Sequence, residues 1–238
     1  DVTPDEVKTL AEKYYGPLAP TPGIGPRVRP QEPVQRAERR LSYKDPRVAQ
    51  PYLTRSYLAP ERDPGDQKTA AALTILAAAL GGSPQTSILA KRLQFDSKIA
   101  LYTAAGYDGL SYDDTTFSLV VVPAPGIGMA EAEKAMDGVL DDVAQNGIDA
   151  EQFARIKTQI RADNIYAEDS VMGLARRYGE ALTTGLTIKD VQDWPAVLDA
   201  VTVDEVQQAA RDVLDRRHAV TGWMMPESAG DDTTELMQ

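Results

Sequence analysis

Residues 17–33, PLAPTPGIGPRVRPQEP, hold six prolines within seventeen positions. Proline locks φ and removes a backbone donor, so this stretch is neither helix interior nor central strand. It reads as an extended linker, and it divides the chain. Before it, VTPDEVKTLAEKYYG reads as a short helix with Thr3 and Glu6 as a capping box, Pro4 in the first turn and Gly16 as the stop. The organisation that follows is a terminal helix over 1–16, a linker over 17–36, a domain over 37–227 and a polar tail over 228–238.

Within 37–227 the patterns alternate in blocks. AERRLSY (37–43) and QPYLTRSYLAP (50–60) are strand candidates. DPGDQKTAAALTILAAALGG (63–82) is an Ala-rich helix that Asp63 or Asp66 can cap, and SPQTSILAKRLQF (83–95) a shorter one. KIALYTAAGYDG (98–109) and TTFSLVVVPAPG (115–126) pair as an antiparallel hairpin. Helices follow over 129–147 and 149–185, the second broken near Asp169 and Ser170, then short turns around Pro195 and a helix over 202–215. HAVTGWMMPE (218–227) closes as a strand. The order implies an α+β fold: an antiparallel or mixed sheet with helices packed on one face.

Val2, Thr3, Asp5, Glu6, Val7 and Ala11 recur at constant offset as Val201, Thr202, Asp204, Glu205, Val206 and Ala210. Capping-box convergence accounts for Thr and Glu; the other matches favour a duplication. The first helix then reads as the end of one copy and 37–227 as the whole of a second. The chain begins at Asp1 without a Met, which points to a segment upstream.

Composition narrows the chemistry. The net charge of −11, with no clustered Lys and Arg, argues against nucleic acid. Without cysteine there is no thiolate catalysis or Cys-ligated zinc. One histidine, His218, supports neither a zinc site nor a Ser-His-Asp triad, so no catalytic or metal residue is assigned. No apolar run is long enough to span a membrane. Asp113 and Asp114 read as turn residues, Asp141 and Asp142 as a solvated helix face, and Trp223 with Met224 and Met225 as strand and core.

The VTPDEVKTLAEKYYG helix, the Pro-rich linker, ERRLSY, YLTRSYLAP, GGSPQTSILAKRLQFDSKIALYTAAGYDG and VTGWMMPE, in that order, resemble the C-terminal, non-zinc-binding half of the pitrilysin/insulinase family of zinc metallopeptidases. The resemblance implies duplicated α+β domains that face each other across a chamber. An upstream domain would carry the inverted motif H-x-x-E-H and hold zinc; neither motif nor cofactor belongs to this segment. It also implies that an Arg and, seven residues later, a Tyr at the helix-to-strand junction contact the peptide substrate. Those positions fall on Gln94 and Leu101 here, an uncharged amide and an apolar side chain. Arg92 and Tyr102 lie close by, ten residues apart, and complete the candidate substrate contacts.

Two readings follow from these departures. In the first, the full protein is a zinc endopeptidase whose partner chain, in a heterodimer, supplies the Arg and Tyr. In the second, it is a non-catalytic binding or assembly subunit. The resemblance and the absent cysteines favour a periplasmic or cell-envelope setting.

Overall fold

The computed structural model describes residues 2–25, 33 and 35–227. The chain forms two compact units, Asp1–Val34 and Gln35–Gln238. The tail expected over 228–238 and much of the linker lie outside the described residues.

In the first unit, helix α1 (Pro4–Tyr14) starts at the expected capping box. Thr3 N–H donates to Glu6 Oε2 at 2.7 Å, and Glu6 N–H donates back to Thr3 Oγ1 at 3.3 Å. None of its residues is buried.

The second unit is built on a five-stranded mixed sheet: β1 (Arg39–Lys44), β2 (Tyr52–Ala59), β3 (Ala100–Tyr107), β4 (Thr115–Pro123) and β5 (Ala219–Met225). Their spatial order is β1-β5-β2-β4-β3. β1 runs parallel to β5 and every other pairing is antiparallel. The period-two pattern of β2 and β4 decides which face is covered. Leu53, Arg55, Tyr57, Phe117, Leu119 and Val121 are buried beneath helices, while their sequence neighbours face the other way.

Helices α2 (Lys68–Gly81), α3 (Met129–Asn146) and α7 (Val203–Val213) cover that face. Small residues let α2 sit close to the strands: Ala70, Ala71, Ala79 and its leucines are essentially inaccessible. α3 buries Ala132, Met136, Val139, Leu140 and Val143, as its spacing predicts. α4 (Ala150–Glu168) and α5 (Val171–Thr183) meet at the expected break by Asp169 and Ser170.

Three sequence expectations change. Neither Asp63 nor Asp66 caps α2; these two residues bridge to each other, and Gln67 at the N-cap makes no side-chain cap bond. The turns around Pro195 are one helix, α6 (Ile188–Ala200), started by a Thr187–Asp190 capping box. Pro195 lies in the middle of that helix. The segment 83–95 is not an ordinary helix; its end, Ala90–Asp96, is π-helical.

α7 repeats the α1 cap closely. Thr202 N–H donates to Glu205 Oε2 at 2.8 Å, and Glu205 N–H to Thr202 Oγ1 at 3.3 Å. α7 buries Val206, Ala209, Ala210 and Val213. The same offset places Val7, Leu10, Ala11 and Tyr14 at those positions in α1.

Candidate functional site

The junction between the π-helical turn and β3 concentrates the irregular backbone of this unit. Ser97 N–H donates to Arg92 O at 3.1 Å, the i→i+5 bond of a π-helix. Lys98 has φ of 56°, the left-handed region that a residue with a side chain rarely adopts. The register of β3 on β4 then shifts between Ala100 and Tyr102, so Leu101 is the bulged residue. Such features persist only where the surrounding structure holds them, and they cluster at functional sites.

The four candidate contacts separate here. Arg92 turns toward α3 and pairs with Asp142 at 2.5 Å. The Asn146 amide and Arg92 hold the Asp142 carboxyl below its ordinary range, so Asp142 is a partner rather than part of a plain solvated face. Gln94 turns toward β3. In the orientation that satisfies its neighbours, its Oε1 accepts from Thr103 Oγ1 at 2.7 Å and Thr103 N–H at 3.1 Å. Its Nε2 donates to the Leu101 carbonyl at 3.3 Å. Leu101 and Tyr102, on either side of the register shift, are each about half exposed. The geometry therefore brings Gln94, Leu101, Tyr102 and Thr103 together and leaves Arg92 outside. Thr103 is not among the sequence candidates; the available signal is its aliphatic hydroxyl in a strand otherwise made of Ala, Leu, Gly and Tyr.

This junction lies at one margin of the uncovered sheet face. Register places Thr54 beside Val120 and Gly222, Ser56 beside Ser118 and Val220, and Tyr52 beside Met224. β3 continues the face with Tyr102, Ala104 and Gly106, opposite Val122, Val120 and Ser118. No charged residue of β2, β3, β4 or β5 lies on this face, although the chain carries 25 basic and 36 acidic residues. Its middle combines valines with small and hydroxyl-bearing side chains, and tyrosines stand toward its margins. Such a surface admits close approach of another polypeptide and offers it hydrogen bonds without a strong field.

On the opposite face a buried charge cluster lies under the helices. Arg55, 1% exposed, donates to Thr221 Oγ1 at 2.9 Å, to Glu133 at 2.5 Å and to Asp137. Arg40 grips Glu133 through two 2.7 Å bonds, and Trp223 Nε1 adds a third donor at 2.8 Å. Burial pushes Glu133 up, but the Arg40 hydrogen bond and the Arg40 and Arg55 charges outweigh it and leave the carboxyl below its ordinary range. At Asp137 burial wins over Arg55 and Arg216, and the carboxyl stays above its ordinary range. Every member of this cluster is partnered inside the fold, which identifies it as architecture rather than a reactive site.

Among the described residues no three His, Cys, Asp or Glu side chains are placed to hold a metal ion. His218 sits in a 3₁₀ turn before β5. The described residues do not fit a zinc site. No described helix is long and apolar enough to cross a membrane.

The family model for the peptidase M16 inactive domain matches residues 1–160. Among solved structures, a protease from Helicobacter pylori superimposes with a TM-score of 0.85 at 20% identity, over 95% of this chain and 54% of that one. The peptidase M16 inactive domain from Pseudomonas fluorescens gives a TM-score of 0.68 at 16% identity, over 95% and 52% of the two chains. The periplasmic protease PqqL from Escherichia coli gives 0.65 at 17% identity, over 95% and 24%. The chain thus spans about half the length, or less, of these structures. No curated protein matches it.

Proposed function

Because this chain belongs to the peptidase M16 inactive-domain family, in line with the resemblance read from its sequence, we propose that it forms the non-catalytic wall of a peptide-holding chamber in a larger zinc endopeptidase. The observation that carries the proposal is the uncovered face of β2, β3, β4 and β5, which bears no charged residue, with the irregular junction at its margin. In this reading the face receives an extended or unfolded peptide, with Leu101 and Tyr102 beside its path. Gln94 and Arg92 contribute little, because their polar groups are already engaged by β3 and by Asp142.

Zinc and the general base belong, in this proposal, to a preceding domain of the same fold. The α1–α7 correspondence supports that arrangement. Val7 and Leu10 are about half exposed, whereas their counterparts Val206 and Ala209 are buried. α1 is thus suited to close a neighbouring domain as α7 closes this one. A partner chain would supply the charged and phenolic groups that Gln94 and Leu101 lack. The alternative, a binding or assembly subunit with no catalytic partner, is favoured by the same apolar Leu101. A periplasmic setting is proposed by analogy with PqqL.

The test uses the purified 238-residue chain. It is expected to retain no stoichiometric zinc after dialysis and to cleave no unfolded peptide, while still binding one. Ser118→Arg, which sets a charge in the middle of the open face, is expected to weaken that binding at least about tenfold, a change of ~1.4 kcal/mol. EDTA-sensitive cleavage by the chain alone, or binding indifferent to Ser118→Arg, overturns the proposal.

A further inference from the structure

The two edges of the sheet are protected by different means. β1, at one edge, reads RRLSYK and carries Arg39, Arg40 and Lys44. Charges on an edge strand deter pairing with another chain. β3, at the other edge, reads ALYTAAGY, eight residues with no charge and no proline. Sequences of that kind are prone to strand addition when their backbone groups are free.

On β3 the protection comes from Gln94. A side-chain amide has one carbonyl oxygen and two N–H groups, and the N–H on the same side as the oxygen points with it toward one neighbour. Here the carbonyl accepts from Thr103 N–H and the amide donates to Leu101 C=O. These are the i+1 donor and i−1 acceptor around Tyr102 that a neighbouring parallel strand would engage. Gln94 therefore fills the first rung of the free edge as a one-residue strand. The π-helical turn and the left-handed Lys98 bring it there, and the bulge at Leu101 bends the strand beside it. Alternation along the antiparallel β3–β4 pair points the backbone groups of Ala105 outward as well, so the edge continues beyond the sealed rung.

We propose that Gln94 is an edge seal, and that the interaction it prevents is antiparallel pairing of β3 with β3 of a second copy of this chain. The inference stands apart from the peptide-chamber reading, since it concerns the edge rather than the face. Two substitutions separate its parts. Gln94→Ala removes both bonds. Gln94→Glu keeps an acceptor for Thr103 N–H but sets a carboxylate against the Leu101 carbonyl.

Amide hydrogen exchange and sedimentation velocity read the outcome in the 238-residue chain. In Gln94→Ala, the Thr103 amide is expected to exchange at least about tenfold faster at low protein concentration. As concentration rises, the sedimentation coefficient should move toward a dimer, and Thr103 and Ala105 should regain protection together. Gln94→Glu should keep most of the Thr103 protection and remain monomeric across the same range. Unchanged Thr103 exchange in Gln94→Ala overturns the seal. Faster exchange without self-association overturns the claim that a second copy is what the seal excludes.

Discussion

Replacing Glu133 with alanine is expected to destabilise the second unit by about 3–5 kcal/mol, the cost of breaking a buried ion pair by removing one partner. Glu133 is 3% exposed and accepts from Arg40, Arg55 and Trp223. Arg55 is even less accessible, and it cannot reach water when its partner is removed. Asp137 and Thr221 remain as partners, so the guanidinium keeps part of its compensation, which puts the cost within that range rather than above it. For a unit of about 200 residues this lowers the melting temperature on the order of 10 °C, read by calorimetry. Added salt should change the difference little, because the pair is shielded from solvent.

The pH dependence has a definite sign. The folded-state pKa of Glu133 lies below its ordinary value, so its contribution is complete above the ordinary glutamate range. It is lost as pH falls through the depressed value. Asp137 is shifted the other way, so its contribution is complete at low pH and falls as pH rises through its raised value. Glu133→Ala deletes the first outright and weakens the second, because the Glu133 charge is one of the causes that hold Asp137 up. The stability gap between the native chain and the variant should therefore narrow as pH falls, measured as urea midpoints from pH 7 to acid. A constant gap would show that Glu133 acts through packing alone.

How much of this was legible beforehand depends on the range over which each feature is decided. Caps and breaks are local, and Thr3–Glu6, Thr202–Glu205 and the interruption at Asp169 could be read from a few residues. The hairpin of β3 and β4 followed from two alternating runs and a short connection. The parallel pairing of β1 with β5 joins residues about 180 positions apart, and no local pattern announces it. The junction was legible as a place but not as an arrangement. Spacing rules assumed an α-helix followed by a regular strand; a π-turn, a left-handed residue and a bulge each alter where a side chain points. Only after those three does Gln94 reach Thr103 while Arg92 reaches Asp142. The Arg55–Glu133 cluster was hidden for a related reason: an arginine in a strand reads as an outward residue until the helix above it supplies two carboxylates.

Two helical glycines should respond to the same substitution with opposite sign. Alanine is the better helix former by about 1 kcal/mol, so Gly→Ala within a helix is ordinarily stabilising. Gly138 in α3 meets nothing within 4 Å of the Cβ it would gain, and Gly138→Ala is expected to raise stability by up to about that amount. Gly81 ends α2 directly over β3. A Cβ there would lie 1.9 Å from Ala105 N and 2.5 Å from the Ala104 carbonyl carbon. Both are backbone atoms, so no rotamer change relieves the clash and the end of α2 must lift from the sheet. Overpacking of that kind costs about 1–3 kcal/mol and more where the obstacle is rigid. Gly81→Ala is therefore expected at or above the top of that range, with its loss exceeding the Gly138→Ala gain. The displacement would also reach the candidate site, because Ala104 and Ala105 directly follow Thr103, which Gln94 holds. Faster Thr103 amide exchange in Gly81→Ala, with unchanged exchange in Gly138→Ala, would tie the helix-to-strand contact to the integrity of the junction. Near-wild-type stability of Gly81→Ala would show instead that α2 can move away from β3 at little cost, and that the close approach does not fix the edge strand in place.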